Sequence, residues 1–180
     1  ETDGVLSTAP VAVKSGMPLA ELQRWLVAAG LGTMPGTAAE ILDDSVRQVV
    51  SPNKIRKERW IEIVTSAHGV GLPSTSTLMY GHIESARHVA EHLALLRELQ
   101  KRTGGFTEFV PLGFIHERNI LFNHLHARPG SSAPEDLRLV AVARLLLRPW
   151  ITNIQVSWVK MGPKLAQMGL MSGANDLGGT

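Results

Sequence analysis

The chain has 180 residues, of which 44% are hydrophobic and 19% are charged, with a formal net charge of +2 and no cysteine. This composition is that of an ordinary globular enzyme or binding domain, and the lack of cysteine excludes disulfides and thiolate metal ligands within the chain. No apolar run reaches the ~18 residues that a membrane helix needs, and the first residues resemble no targeting signal. Basic residues are scattered along the predicted helices with acidic neighbours, as in residues 54–59, rather than clustered on one surface. We therefore expect a cytoplasmic protein that binds neither membranes nor nucleic acid.

The first third of the chain is predicted to be mostly helical. Residues 1–16 are an uncertain boundary segment, and their scattered apolar residues are compatible with a short strand. Pro18 favours a helix that runs to about Ala29, and the apolar face of this helix would contain Leu19, Leu22, Trp25 and Leu26. Residues 31–34 predict a short strand. Residues 43–67 predict helix with a break at residues 51–52, and with Trp60 in the core.

Residues 71–84 read GLPSTSTLMYGHIE and predict a buried strand that ends at Gly81. The β-branched and aromatic residues favour the strand, and glycine allows a sharp turn or a close approach to a ligand. A long helix is predicted from Glu84 to Arg102. His88 and His92 lie four residues apart on it, but without a further ligand we interpret them as partly exposed helix histidines rather than a metal site.

Strand and helix patterns alternate through the rest of the chain. Residues 106–111 predict a strand with Phe106, Glu108 and Val110 on one side, and a long loop follows over residues 113–134. A helix is predicted from Ala133 to about Leu147, a strand over residues 153–160, a helix from residue 162, and a short strand over residues 173–176. This order predicts an α/β fold, either a barrel or a doubly wound sheet.

Polar side chains recur near the predicted carboxyl ends of the strands, which is the edge where active sites of parallel α/β folds lie. These residues are Glu40, Tyr80, Glu108, Ser157 and Asp176.

Five stretches of the sequence together resemble one enzyme family. They are residues 71–84, quoted above, residues 29–42 (AGLGTMPGTAAEIL), 103–112 (TGGFTEFVPL), 153–160 (NIQVSWVK) and 173–180 (GANDLGGT). Taken in chain order, these stretches are similar to the FO synthase family of radical S-adenosylmethionine (SAM) enzymes, of the CofH type, which also forms the second half of the fused FO synthase FbiC. The resemblance extends from about residue 22 to residue 180.

The resemblance implies the fold and the cofactors. It implies a partial TIM-type (β/α) barrel of the radical SAM kind that contains the later strands only, so that residues 1–180 form one incomplete domain. Members of this family use SAM and a 4Fe-4S cluster. Because cysteine thiolates hold such clusters and this chain has none, we expect the CxxxCxxC loop upstream and no metal ligand here.

The resemblance also implies the reaction. Enzymes of this family cleave SAM reductively, break the Cα–Cβ bond of L-tyrosine and transfer its 4-hydroxybenzyl group to 5-amino-6-(D-ribitylamino)uracil, on the way to the deazaflavin FO. They work with a CofG-type partner or fused domain. We expect residues 1–180 to be enzymatically inactive when isolated from the rest of the protein. Two alternatives stay open: a related radical SAM enzyme of the menaquinone pathway, and a cluster-free barrel that only binds a ligand or partner.

Individual residues take the following predicted roles. By resemblance, Glu40 lies where the ribose hydroxyls of SAM bind, and Tyr80, Gly81 and Glu84 shape the adenine end. A helix-capping carboxylate is the other interpretation of Glu40. No catalytic nucleophile is identifiable. We predict the substrate contacts from their polar side chains, although each could instead be a structural hydrogen-bonding group: Glu108, Gln155, Ser157, Asn175 and Asp176.

Overall fold

A computed structural model describes residues 16–36, 39–117, 119–125 and 127–178. The helices are α1 (Leu19–Ala28), α2 (Asp44–Val50), α3 (Lys57–Gly69), α4 (Ala86–Thr103), α5 (Ile120–Leu125), α6 (Ala133–Leu147), α7 (Trp158–Met161) and α8 (Pro163–Met171). The strands are β1 (Ser74–Tyr80), β2 (Phe106–Gly113), β3 (Gln155–Ser157) and β4 (Asp176–Gly178). The alternation of strand and helix confirms the predicted α/β class.

Local sequence signals explain where several helices begin. Asp43 accepts a hydrogen bond from the Val46 amide at the start of α2. Reciprocal side-chain and backbone hydrogen bonds join Ser85 to His88 at the start of α4. Ser132 and Glu135 form the same kind of capping box before α6. These contacts satisfy amide groups that have no partner inside a helix.

All described strand pairings are parallel, and together they connect the strands into one row. β1 pairs with β2 and β3 with β4, while single bridges join Met34 to Ser74 and Phe109 to Ile154. The spatial order is therefore the segment around Met34, then β1, β2, β3 and β4. Within the described ranges this row does not close on itself, so the structure shows an open parallel arrangement rather than a complete barrel.

One apolar core joins the helices to the strands. Trp60 of α3, Leu96 of α4 and Leu147 of α6 are fully buried in it with Phe109 and Val156 of the strands. At roughly 1.5–3 kcal/mol for each large apolar side chain removed from water, this cluster is the main source of stability. The prediction that Trp60 belongs to the core is confirmed.

The strands present an opposite, polar face. A methyl group on Gly169 of α8 would lie within 2.9 Å of a Val156 side-chain carbon, so Val156 faces the helices. Because side chains alternate along a strand, Gln155 faces away from them. Gln155 donates hydrogen bonds there to Glu108 and Asp176.

A β-bulge breaks the alternation that was predicted for β2. Ser74 pairs with Phe106 but Ser76 pairs with Phe109, so β2 contains one extra residue between these pairs. Phe106 packs edge-on against the ring of His68 in the helical layer, whereas Glu108 reaches Gln155 on the polar face. The prediction that Phe106 and Glu108 share one side was wrong because strict alternation fails across a bulge.

Other sequence predictions differ from the structure in detail. Trp25 is 62% exposed, and the polar Gln23 takes the buried position on α1 instead. The strand predicted over residues 153–160 ends at Ser157, where α7 begins. The last strand covers Asp176–Gly178 rather than residues 173–176, and residues 31–34 contribute only the Met34 bridge. The possible strand within residues 1–16 lies almost wholly outside the described residues.

Within the described residues, none of the helices is long and apolar enough to cross a membrane.

Candidate functional site

The carboxyl end of β1 turns sharply at Gly81, as predicted. Gly81 has φ +91°, a left-handed conformation that favours glycine. A side chain here would also collide with the neighbouring loop, because a Cβ would lie 2.7 Å from the Ser131 nitrogen and 2.9 Å from the Gly130 carbonyl carbon. Glycine is therefore required by the turn and by the close packing of the loop between β2 and α6.

Glu84 holds this turn together. Its carboxylate accepts hydrogen bonds from the backbone amides of Gly81 (2.7 Å) and His82 (2.8 Å). Arg128 donates to the same carboxylate and also to Glu135 at the start of α6, at 3.1 and 2.9 Å. Only 3% of the Glu84 side chain is exposed. Glu84 therefore shapes the strand end from within.

Tyr80 faces the helical layer. Its hydroxyl donates to Asp136 of α6 at 2.7 Å, and Asp136 also accepts a hydrogen bond from Ser131. Burial, together with the Asp136 carboxylate, raises the pKa of Tyr80 well above its usual value. The phenol is neutral and joins β1 to α6. Its side chain does not line the cavity that contains Glu40.

Glu40 lies beside the same strand end, because its carbonyl accepts a hydrogen bond from the Met79 amide at 2.7 Å. Its φ of +45° is rare for a residue with a side chain, and such strain is often found at functional sites. The neighbouring residues Ala39 and Ile41 are fully buried. The Glu40 carboxylate forms an ion pair of 2.6 Å with Lys54 from the segment between α2 and α3. The alternative interpretation of Glu40 as a helix cap is not supported, because Asp43 caps α2.

A cavity of about 520 Å³ opens beside this ion pair. Apolar groups of Met79, Phe114 and Leu121 line one part of it, while Glu40 and Lys54 line another. An apolar wall with a few convergent polar groups is the usual construction of a small-molecule site. A carboxylate can accept hydrogen bonds from two hydroxyl groups at once, as a ribose would require.

A second polar cluster is formed by Glu108, Gln155 and Asp176. The Gln155 amide donates to Glu108 at 3.3 Å and to Asp176 at 3.1 Å. Burial and the adjacent Asp176 carboxylate raise the pKa of Glu108, because two close carboxylates resist simultaneous ionisation. Glu108 is the third residue of β2, and Gln155 and Asp176 begin β3 and β4. The prediction that Glu108 and Asp176 lie at the carboxyl ends of strands was wrong, because β2 extends to Gly113 and β4 begins later than expected.

The other two predicted substrate residues lie apart from each other. Ser157 is buried at the carboxyl end of β3, as predicted. Asn175 precedes β4, where its side chain accepts hydrogen bonds from the Ile154 amide and from Arg144, and donates to Asn153. These contacts give Asn175 a structural role in aligning β3 with β4. A cavity of about 410 Å³ is lined by Asn153, Asn175, Asp176, Glu108 and Thr107.

Two buried polar residues that the sequence did not reveal hold the Glu40 segment. His92, predicted to be partly exposed, is almost completely buried: its ring accepts from the Leu42 amide at 3.0 Å and donates to the Thr77 carbonyl at 3.1 Å. Burial lowers the pKa of His92 to about 3, so the ring is neutral. Arg47 of α2 donates to the carbonyl groups of Ala39, Ile41 and Ile55. In contrast, the position of Met79 in the lining of the Glu40 cavity could have been predicted from the sequence, because alternation along β1 places Met79 on the face opposite Tyr80.

The residues present fit a nucleoside better than a metal cluster. The Glu40 cavity combines an apolar wall with a carboxylate, a group that can accept hydrogen bonds from hydroxyls, and this combination suits the adenosine part of SAM. In contrast, the chain has no cysteine to hold a 4Fe-4S cluster. Within the described part of the chain, His, Asp and Glu residues also form no group of three that could hold a metal ion.

Comparisons with known proteins give one consistent result. The family model described as "CofH/MqnC C-terminal region" matches residues 103–180. A 5-amino-6-(D-ribitylamino)uracil–L-tyrosine 4-hydroxyphenyl transferase of Methanococcus aeolicus is 54% identical over 166 residues, which are 92% of this chain and 46% of that protein. A transferase of the same name from Methanothermobacter thermautotrophicus is 50% identical over 97% of this chain and 49% of its own length. The chain is thus similar to transferases of this name over more than nine-tenths of its own length.

A longer protein named FO synthase gives a similar match. The FO synthase of Mycobacterium tuberculosis is 54% identical over 93% of this chain, which corresponds to 20% of that protein. The chain spans about half the length of the two archaeal relatives. Its similarity to the CofH type thus extends well beyond the motifs, to nearly the whole chain.

Proposed function

We propose that the protein containing this chain is a radical SAM transferase that joins L-tyrosine to 5-amino-6-(D-ribitylamino)uracil during FO biosynthesis. The observation that carries this proposal is the identity of about 50% to transferases of that name, over 92–97% of the chain. The open row of parallel strands supports the finer proposal that this chain is the later part of a (β/α) barrel. The 4Fe-4S cluster would then be held elsewhere in the protein, and a CofG-type partner or fused domain would act with it.

The Glu40 cavity is the proposed position of the SAM nucleoside. When bound, SAM supplies the radical that initiates the reaction. Glu40 would accept hydrogen bonds from the ribose hydroxyls, while Met79 and Phe114 provide an apolar wall that excludes water. Glu84 and Gly81 would act indirectly, since their contacts fix the end of β1 and thereby the position of Met79.

The Glu108–Gln155–Asp176 cluster is the proposed source of polar contacts to the substrates. The Gln155 amide donates within the cluster while the two carboxyl groups accept, so that the cluster offers both hydrogen-bond donors and acceptors. Tyrosine and the ribitylaminouracil contain amine, carboxylate, amide and hydroxyl groups that need such partners. No nucleophile is required in this role, because the reaction depends on radical chemistry supplied with SAM.

The test uses the full-length protein, reconstituted anaerobically and supplied with SAM, reductant, tyrosine and the ribitylaminouracil. Mass spectrometry should detect 5′-deoxyadenosine and a hydroxybenzyl adduct of the uracil. Formation of 5′-deoxyadenosine without that adduct would instead favour a related radical SAM enzyme, such as one of the menaquinone pathway. Absence of both products would favour the cluster-free binding module.

Glu40→Gln tests the position of the SAM nucleoside. Gln keeps the shape but loses the charge, and we expect SAM affinity to fall by about tenfold because a hydrogen bond to a charged group is lost. Glu98→Gln is the matched control, since Glu98 is an ion-paired glutamate on the exposed surface of α4. Equal SAM affinity in both variants would contradict the assignment of Glu40.

A further inference from the structure

The Glu40 carboxylate is held by a partner from a different segment of the chain. Lys54 lies 14 residues further on, and its ammonium group contacts Glu40 Oε1 at 2.6 Å. The side chains are 30% and 17% exposed, respectively. This pair is therefore more sheltered from water than the exposed pairs along α4, and solvent screens it less.

Arg47 connects the two segments that supply this ion pair. Its guanidinium group donates to the carbonyl groups of Ala39 and Ile41, which flank Glu40 on both sides, and to that of Ile55, which follows Lys54. Only 3% of Arg47 is exposed. The planar group with its five N–H donors can reach three carbonyls at once, which a lysine in this place could not do.

These contacts fix the rotamer of Glu40 as well as its backbone. The Arg47 and Met79 hydrogen bonds hold the peptide units around Glu40 in a conformation with positive φ. The Lys54 ammonium group donates to Oε1 of Glu40 and thereby orients the plane of the carboxylate at the 520 Å³ cavity. Without Lys54, the carboxylate would rotate more freely among its rotamers, and a ligand would have to restrict it on binding.

We propose that Lys54 is a positioning residue that orients Glu40 toward the ribose hydroxyls of the bound nucleoside, with Arg47 aligning the two segments. This inference rests on the proposed function, because it assumes that the Glu40 cavity binds SAM. Lys54 acts through Glu40 and needs no contact with the ligand. The expected result of its loss is weaker recognition of the ribose rather than a general loss of stability.

The first measurement is the Kd of SAM for the reconstituted full-length protein and its Lys54→Met variant. Methionine keeps much of the length of lysine but cannot pair with Glu40. We expect about a fivefold increase in Kd, with the KM for tyrosine unchanged, because a partly sheltered ion pair contributes on the order of 1 kcal/mol. Lys54→Arg should restore the Kd to within twofold of the parent, since it can still pair with the carboxylate.

Lys101→Met is the matched control. Lys101 pairs with Glu98 on α4 at 2.8 Å and is 35% exposed, close to the exposure of Lys54. Its removal should change the melting temperature about as much as Lys54→Met but leave the Kd of SAM unchanged. An equal increase of Kd in both variants would overturn the proposal, because the effect would then be a general consequence of losing a surface ion pair.

A second measurement separates positioning from a general effect on the cavity. The Kd of 5′-deoxyadenosine is compared with that of 2′,5′-dideoxyadenosine, which lacks one ribose hydroxyl. If Lys54 acts through Glu40, Lys54→Met should reduce the preference for 5′-deoxyadenosine by about threefold, since one hydrogen bond to the carboxylate weakens. An unchanged preference would overturn the positioning role.

These measurements distinguish failure of the positioning role of Lys54 from failure of the proposed function. If the parent protein binds SAM and Lys54→Met does not weaken it, the positioning role is wrong and the proposed function stands. If the parent protein with its cluster shows no binding of SAM, the proposed function fails and this inference fails with it. Arg47→Lys should resemble Lys54→Met in its effect on nucleoside preference, and parental preference in a folded Arg47→Lys variant would remove Arg47 from the proposal.

Discussion

His92 connects the Glu40 segment to β1 through a single neutral ring. The Leu42 amide donates to Nδ1, so Nε2 carries the proton that is donated to the Thr77 carbonyl. A second proton on Nδ1 would break the first hydrogen bond and place a charge in the core. Burial accordingly lowers the pKa of His92 to about 3. Because the unfolded pKa is near 6.5, the contribution of this ring is complete above pH 6.5 and is lost as the pH falls toward 3.

The first prediction concerns this pH dependence. Between pH 7 and pH 5, protonation of His92 in the unfolded chain should reduce the free energy of unfolding by roughly 2 kcal/mol. His92→Gln should lower stability at pH 7 and make the decrease between the two pH values smaller by roughly 2 kcal/mol, as measured by urea unfolding at both pH values. His68→Gln is the comparison, because burial also lowers the pKa of His68, to about 4, and this variant should reduce the decrease by a similar amount. A decrease in His92→Gln as large as that of the parent protein would contradict the role of His92.

Position 81 requires glycine for two reasons, its positive φ and the nearby loop backbone, and the second prediction separates their contributions. Gly81→Ala should reduce the free energy of unfolding by about 3 kcal/mol, because a methyl group adds a collision with the Gly130–Ser131 backbone to the strain of positive φ. Gly104→Ala should cost only about 1 kcal/mol, since Gly104 has φ +65° and open space around its Cβ position. Equal losses in denaturant unfolding would show that the loop does not press on Gly81.

Among the elements, β2 depends on a side chain for its first backbone hydrogen bonds. The amide of Gln100 on α4 donates to the Phe106 carbonyl at 2.9 Å, and its oxygen accepts from the Phe106 amide at 2.8 Å. Gln100 therefore replaces a neighbouring strand at this position. The same amide group also donates to the Trp150 carbonyl at 3.2 Å, which ties α4 to the chain after α6.

The third prediction is that Gln100→Leu destabilises β2 although it preserves the apolar surface of α4. Two buried backbone groups of Phe106 would lose their partners, at a cost of about 2–4 kcal/mol. Hydrogen exchange at the Phe106 amide should accelerate more than exchange at the centre of β1. Arg102→Leu, on the exposed face of the same helix, is the control for helix propensity. Similar stability of both variants would contradict this role of Gln100.

The elements also show what the sequence could and could not predict. The strand that ends at Gly81 and the helix that begins after Ser132 were predictable, because glycine, proline and capping residues act over a few positions. The hydrogen bonds of His92 and Arg47 were not, since His92 binds Leu42, which is 50 residues away in the sequence. The bulge in β2 was equally invisible, and it inverted the predicted side of Phe106 relative to Glu108.

At the scale of the whole molecule, one predicted group of site residues lies at the carboxyl end of a strand and the other lies near the amino ends of two strands. Glu40, Tyr80 and Glu84 surround the carboxyl end of β1. The cluster of Glu108 and Asp176 lies near the amino ends of β2 and β4. The resemblance implied the first group and polar side chains on the strands suggested the second, but only the register of the strands could show that the groups are separated. A substrate that contacts both groups would have to extend along the polar face of the sheet.

The last prediction concerns the edge of β4 that faces away from β3. Among the described strands, β4 pairs only with β3, so its other edge is available. Leu177 in β4 is 51% exposed, and Met171 at the end of the preceding helix is 87% exposed. An unpaired edge with apolar side chains promotes association between chains. We therefore expect the isolated chain to self-associate with increasing concentration, in a manner that sedimentation velocity can measure.

Leu177→Lys should weaken this association, because a charge on an edge strand disfavours pairing with another edge. Leu145→Lys is the control, since Leu145 is 81% exposed on α6 and lies outside the strands. The mean sedimentation coefficient of Leu177→Lys should therefore depend less on concentration than that of Leu145→Lys. If both substitutions reduce association equally, exposed apolar area in general would be the cause, and the edge of β4 would have no special part in it.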